Sequence, residues 1–229
     1  MPTAVIVGAS RGLGLAMAGE LVERGWDVVG TVRDRGTRTP LHDLADRADG
    51  TVRVECLDVN DPEQIAALRD RLAPSMFDVL FVNAGTAGDA GSAIGSVSTE
   101  EFIEVMATNA LGPMRVIEAM ADLVAPAGLI GAMSSGQGSI TNNTRGMREL
   151  YRGSKAALNM FMRGYAARGG DGGRALLLLA PGWIRTDLGG PDAPFSIEES
   201  APLLVEVLLA KMDRPGLEYL DRNGATVPW

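Results

Sequence analysis

The chain has 229 residues, 46% of them apolar and 22% charged, a balance that excludes a disordered polyampholyte and suits one hydrophobic core. With 29 acidic against 21 basic residues, a net charge of −8 and no basic run, general binding to nucleic-acid phosphates is excluded as a leading reading. No apolar stretch approaches the roughly 20 residues of a membrane helix, and a lone Cys56 beside a lone His42 leaves neither an internal disulfide nor a Cys/His zinc site.

Short apolar runs alternate with amphipathic stretches along the whole length. The first run, Ala4 to Val7, stands at the start without the charged, apolar and small-residue succession of a secretory signal, so the expected location is cytoplasmic. A helical pattern follows over Leu13 to Arg24, then a strand over Val28 to Val32, a short helix over Leu41 to Ala48 and a strand over Val52 to Leu57. Asp61-Pro62-Glu63 supplies a cap, a first-turn proline and an acid for a helix reaching Leu72; the fourth strand is Val79 to Val82. Ser98-Thr99-Glu100-Glu101 opens a long helix running to Leu123, and a fifth strand spans Leu129 to Met133. Tyr151 to Arg168, Ala175 to Ala180, Ser196 to Lys211 and Leu217 to Leu220 complete the series as helix, strand, helix and edge strand. This βα alternation predicts an α/β fold, a single domain over residues 1–229 with a doubly wound parallel sheet of about seven strands and helices on both faces. The loops 86–97, 136–150 and 187–198 are then the working surface, beyond the carboxyl ends of the strands. His42 is expected on the surface and Cys56 in the core.

Five segments carry chemistry. Gly8-Ala9-Ser10-Arg11-Gly12-Leu13-Gly14 lies between the first strand and the first helix, where missing side chains let backbone amides at a helix N-terminus approach a pyrophosphate. The end of the second strand reads Thr31-Val32-Arg33, without the acid that usually meets the ribose hydroxyls of NAD; Arg33, with Arg11 as a second positive charge, points to NADP(H) over NAD(H), although Asp34 follows directly. Tyr151 and Lys155 are four apart and share a helix face, where an ammonium favours phenolate and makes a phenol usable as acid and base. Ser134 and Ser135 end the fifth strand, so either hydroxyl projects into the same crevice. Within the long fourth helical stretch, Pro113 has no N–H to give the Asn109 carbonyl, predicting a kink and a carbonyl free for another partner.

The glycine spacing at 8, 12 and 14, the Tyr151-x-x-x-Lys155 pair, Ser135-x-x-Gly138, Asn83-Ala84-Gly85 and Pro181-Gly182-Trp183-Ile184-Arg185-Thr186 together resemble the short-chain dehydrogenase/reductase family, classical type. Within it, Tyr151-Arg152-x-Ser154-Lys155-Ala156-Ala157-Leu158-Asn159, Gly189-Gly190-Pro191 and Thr226-Val227-Pro228-Trp229 are similar to C-factor-like and sniffer-like carbonyl reductases. Departures stand at Val7, where Thr is usual, and at Val82, which replaces the first Asn of an Asn-Asn-Ala-Gly turn. The resemblance implies a Rossmann fold and an oxidoreductase passing hydride between nicotinamide and a small carbonyl or secondary alcohol, with Tyr151 as the acid/base, Lys155 lowering its pKa and holding the ribose, Ser135 orienting the carbonyl and Asn109 holding a relay water. Ser139 is second to Ser135 for that role. It further implies cofactor contacts from Gly8, Ser10, Arg11, Gly12, Leu13, Gly14, Arg33, Asp58, Val59, Asn83, Ala84, Gly85, Tyr151, Lys155, Pro181, Gly182, Trp183, Ile184 and Thr186, with Asp58 at the adenine. Asn83 is also readable as a stabiliser of the sheet. A homodimer or homotetramer is the family expectation. The alternative is a nucleotide-binding signalling protein of C-factor type with incidental turnover. Met147, Trp183, Leu188 and Phe195 offer an apolar wall for substrate, and Arg145 and Arg148 a means of recruiting an anionic group.

Overall fold

A computed structural model describes residues 1–89 and 91–229. Its strands are β1 (Thr3–Val7), β2 (Asp27–Val32), β3 (Val52–Cys56), β4 (Phe77–Val82), β5 (Val124–Met133), β6 (Ala175–Ala180) and β7 (Gly216–Asp221). They form one parallel sheet in the order β3-β2-β1-β4-β5-β6-β7. The helices are α1 (Gly12–Glu23), α2 (Pro40–Arg47), α3 (Pro62–Leu72), α4 (Thr99–Met106), α5 (Gly112–Met120), α6 (Glu149–Ala167) and α7 (Ile197–Met212). None is long and apolar enough to cross a membrane among the described residues.

Helices on both faces explain why the strands read as continuous apolar runs rather than alternating ones. β6, Ala-Leu-Leu-Leu-Leu-Ala, is buried at every position. Leu176 and Leu178 join Leu68 of α3, Ile117 of α5 and Leu158 of α6 in one core, whereas Leu177 and Leu179 join Met17 and Leu21 of α1 and Leu204 and Leu208 of α7 in the other. Local signals start the helices as expected. The Asp61 carboxylate accepts the amides of Glu63 and Gln64 at the head of α3, Ser98 accepts the Glu101 amide for α4, and Ser196 with Glu199 closes a capping box on α7.

Three expectations change. The long helix expected from Glu100 to Leu123 is broken by a π turn over Ala107–Leu111, in which the Gly112 amide reaches the Ala107 carbonyl. The extra residue is accommodated ahead of Pro113, so a widened turn replaces the expected simple kink. β5 begins at Val124 rather than Leu129, because Val124 pairs with Phe77 before a register shift, and Ala125-Pro126-Ala127-Gly128 occupies the irregular stretch. His42 and Cys56 are each half-buried: the His42 ring closes a capping box with Thr39 on α2, and the Cys56 thiol donates to the Arg33 carbonyl.

β1 lies between β2 and β4, so the direction of strand addition reverses there and leaves a crevice beyond the carboxyl ends of β1 and β4. Val7 and Val82 are in register, which sets the turns that follow them side by side.

Candidate active site

Gly8, with φ +85°, turns the chain out of β1, and its amide donates to the Thr31 hydroxyl at 2.9 Å. Thr31, not singled out from the sequence, thus fixes the turn from β2. The Asn83 amide group donates to the Gly8 carbonyl at 2.9 Å, the sheet-stabilising contact read for it, and a Cβ on Gly14 would collide with that carbonyl and come 2.6 Å from Asn83 Nδ2. A Cβ on Gly8 would meet Ala84 at 2.8 Å. Gly12 differs: its φ is +60°, and nothing stands within 4 Å of where a Cβ would be. α1 starts there without a side-chain cap and without an acid in its first turn. Ser10 and Leu13 are half-buried within this turn, Leu13 packed on the core. The open side of Gly12 and the bare amide end of α1 fit a diphosphate.

The flanking charges divide unequally. Arg33 is exposed, and the Asp34 carboxylate is turned away onto the Gly36 amide and the Thr37 hydroxyl, at 2.9 and 2.7 Å. Those two donors, the hydroxyl foremost, hold its pKa below the usual carboxylate value. The exposed Arg11 guanidinium pairs with the equally exposed Asp187 at 2.9 Å, joining the glycine turn to the loop after β6. The Asp58 carboxylate accepts the Asn60 amide, and Val59 is buried against Gly112 beside the π turn. A crevice of about 370 Å³ lies between the turn and that loop, lined by Arg11, Gly12, Arg185, Thr186, Asp187, Gly190, Pro191 and Ile197. A larger depression of about 570 Å³ elsewhere carries Arg69, Asp122, Glu118 and Arg174, but Arg69 pairs with Asp122, Glu118 with Arg168, and Arg174 with backbone carbonyls.

α6 presents Tyr151 and Lys155 on one buried face, 8% and 3% exposed. Burial pushes the Tyr151 phenol up, while the Ser135 hydroxyl and then the Arg148 guanidinium pull it back. The Lys155 ammonium lies 5.9 Å from the centre of the Tyr151 ring and donates to the Met133 carbonyl at 2.9 Å. Burial lowers Lys155 itself from 10.5 to about 8. Gly85 is exposed above it, and a Cβ there would come 3.4 Å from Lys155 Nζ and 3.2 Å from Asn109 Oδ1, so the missing side chain keeps the lysine approachable from the crevice.

Of the three serines, Ser135 faces Tyr151. Ser134 donates to Asn159, and Ser139 is buried and accepts the Asn142 amide. The carbonyl of Ser135 is held from beneath by the Tyr219 hydroxyl of β7. Gly138 packs its backbone on Lys155, where a Cβ would meet 3.0 Å contacts, and its carbonyl takes the Asn159 amide group. Tyr219 is a support that no motif announced, and Asn159, which closes the Tyr151-to-Asn159 motif, takes its supporting role only in the finished fold. Asn109 is wholly buried, and its side chain is fully engaged. Oδ1 accepts the Thr86 amide at 2.8 Å, and Nδ2 donates to the Thr86 carbonyl and to Ser154 Oγ at 2.8 and 2.9 Å.

Pro181 to Thr186 leaves β6 into a loop stitched to itself. Gly182 has φ +88°, Trp183 Nε1 donates to the Gly189 carbonyl, the Gly189 amide donates to Thr186 Oγ1, and Arg185 spans the Ala193 and Pro194 carbonyls. Ile184 is buried beneath, bridged to Phe195. At the other wall, Met147 and Arg148 have φ of 60° and 54°. Non-glycine residues in this left-handed region cost roughly 1–3 kcal/mol each.

A doubly wound sheet with a glycine turn beside a Ser, Tyr and Lys cluster is the frame of a Rossmann-type oxidoreductase. A family model described as enoyl-(acyl carrier protein) reductase matches residues 8–201, and the chain belongs to the short-chain dehydrogenase/reductase family. It is 36% identical to the C-signal of Myxococcus xanthus over 66% of this chain and 92% of that protein. A protein of Burkholderia multivorans described as a short-chain dehydrogenase/reductase, with bound NADP, is 61% identical with a TM-score of 0.97, over 100% and 99% of the two chains. The carbonyl reductase Sniffer of Drosophila melanogaster is 26% identical, with a TM-score of 0.90 and full coverage of both chains.

Proposed function

We propose that this protein is an NADP(H)-dependent carbonyl reductase of small molecules, with Tyr151 as the proton donor in reduction. The observation that carries the reading is the phenol of Tyr151 set against Ser135 at the carboxyl end of the sheet, with Lys155 buried on the same helix face. The nicotinamide, when bound, supplies the hydride. Ser135 orients the substrate oxygen, Tyr151 gives it a proton, and Lys155, reached past Gly85, binds the ribose and returns a proton toward Tyr151. Asn109 holds the Thr86 backbone beyond β4 and Ser154 rigid beneath them, and its carbonyl, deprived of a proline N–H, is the anchor for a relay water. The loops 86–97, 136–150 and 187–198 enclose the substrate, and the Pro181-Gly182-Trp183-Ile184-Arg185-Thr186 segment borders the nicotinamide.

NADP is favoured because Arg33 is exposed beyond β2 while Asp34 is turned into its own loop. The bound NADP of the Burkholderia relative supports the same choice. Arg33→Asp is expected to raise the Kd for NADPH by about 10- to 100-fold, the loss of a charge-assisted phosphate contact, with little change for NADH. Fluorescence titration with both cofactors measures this; equal weakening of the two would remove Arg33 from the phosphate site. The reductase reading itself is tested by NADPH oxidation across aldehydes, ketones, diketones and quinones. Tight NADPH binding with no turnover on any of them would abandon it for a signalling role.

A further inference from the structure

Arg148 is the last residue before α6 and precedes Tyr151 by one helical turn. Its guanidinium carbon lies 5.0 Å from the centre of the Tyr151 ring, nearer than the 5.9 Å of Lys155 Nζ. It gets there through an unusual backbone: Met147 and Arg148 are both left-handed, although neither is glycine. Named bonds hold that conformation. Arg152 Nε donates to the Met147 carbonyl at 2.9 Å, the Arg152 amide donates to the Arg148 carbonyl at 2.9 Å, and the Glu149 carboxylate accepts the Ile94 amide across the crevice at 2.9 Å. The Nε of Arg148 is buried without an acceptor. A strained, over-determined turn that spends an arginine on a tyrosine face is a positioning device rather than a solvated charge.

We propose that Arg148 is a positioning residue that acts through Tyr151, its permanent charge, locked over the ring by the Met147-Arg148 turn, stabilising the phenolate. The groups facing that phenol are Ser135 from the end of β5, Tyr219 from β7, and Arg148 and Lys155 from α6. Lys155 is a poorer source of lasting positive charge, since its ammonium is turned to the Met133 carbonyl and burial lowers its pKa from 10.5 to about 8. An arginine does not lose its charge at any working pH. Tyr219 is neutral and donates its proton to the Ser135 carbonyl.

The inference rests on the proposed role of Tyr151, and the test separates the two. The near-ultraviolet phenolate absorbance of the holoenzyme is titrated with pH, and the Tyr151 component is obtained by difference from Tyr151→Phe. Arg148→Asn removes the charge but tolerates the left-handed backbone; Arg148→Gly does the same with the strain relaxed, and Arg148→Lys restores the charge. The Tyr151 transition is expected to move up by about one pH unit in the Asn and Gly variants and to return toward wild type in Arg148→Lys. The acidic limb of alcohol oxidation with NADP should move in parallel, because the phenolate is the base in that direction. A Tyr151 titration in Arg148→Asn and Arg148→Gly that superimposes on wild type overturns the proposal. Full turnover by Tyr151→Phe instead sinks the acid/base reading, and the absorbance titration then still reports on Arg148.

Discussion

Tyr151→Phe is expected to lower the rate of NADPH-dependent carbonyl reduction by about 10³-fold while leaving cofactor binding and stability nearly unchanged. The variant removes one oxygen and keeps the ring, which is 8% exposed and lies under the Arg148 guanidinium, so packing survives and only the proposed proton donor is lost. A general acid contributes 10²- to 10⁴-fold, roughly 3–5 kcal/mol of barrier. Single-turnover reduction, with NADPH affinity measured in parallel, isolates the effect. A rate within about threefold of wild type at unchanged affinity would mean that the proton comes from elsewhere, Ser135 or water.

Lys155→Met is expected to act in opposite directions on activity and stability. Turnover should fall by about 10²-fold or more as the ribose contact and proton return are lost. Stability of the cofactor-free protein should rise near neutrality. Burial holds the folded-state pKa at about 8 against an ordinary 10.5, so the unfolded chain binds more protons between those values and stability climbs with pH across that window. Below pH 8 the cost of a buried ammonium is present in full, on the order of 3 kcal/mol for a shift of that size; above 10.5 it has vanished. Methionine escapes the cost but leaves the Met133 carbonyl without its 2.9 Å donor, a loss of about 1–2 kcal/mol. The net gain near pH 7 is then about 1–2 kcal/mol, reversing sign above pH 10. Urea unfolding of both proteins at pH 7 and pH 10 reads this directly. A variant less stable than wild type by the same margin at both values would show that Lys155 is not penalised by burial.

Much of this was legible because one physical cause governed each element. β6 could hardly be anything but a doubly covered strand, and Asp61-Pro62-Glu63 stops one segment and starts another by hydrogen-bond chemistry local to it. The four-residue interval of Tyr151 and Lys155 placed both on one face as soon as a helix was granted. What stayed illegible depends on partners far along the chain or on backbone choices that side chains do not advertise. The π turn at Ala107–Leu111 has no apolar period of its own, and the strand start at Val124 is hidden by a Pro and a Gly that read as loop. The pairing of Arg11 with Asp187 joins the glycine turn to a far loop, which no local pattern announces. Nothing in Gly146-Met147-Arg148 hinted that two ordinary residues would adopt a glycine-like conformation.

The hydrogen bond from Tyr219 to the Ser135 carbonyl spans 84 positions, and that from Asn83 to Gly8 spans 75. The reactive corner is therefore a creature of high contact order, assembled only after the most distant loops of the chain have closed. Ser135 can be seated only once β7, the last of the seven strands, has docked at the sheet edge. A partly folded chain or an excised βα unit would carry the motifs and none of their geometry. Catalytic activity is accordingly a stricter reporter of completed folding for this protein than helix content, which the local caps supply early and cheaply.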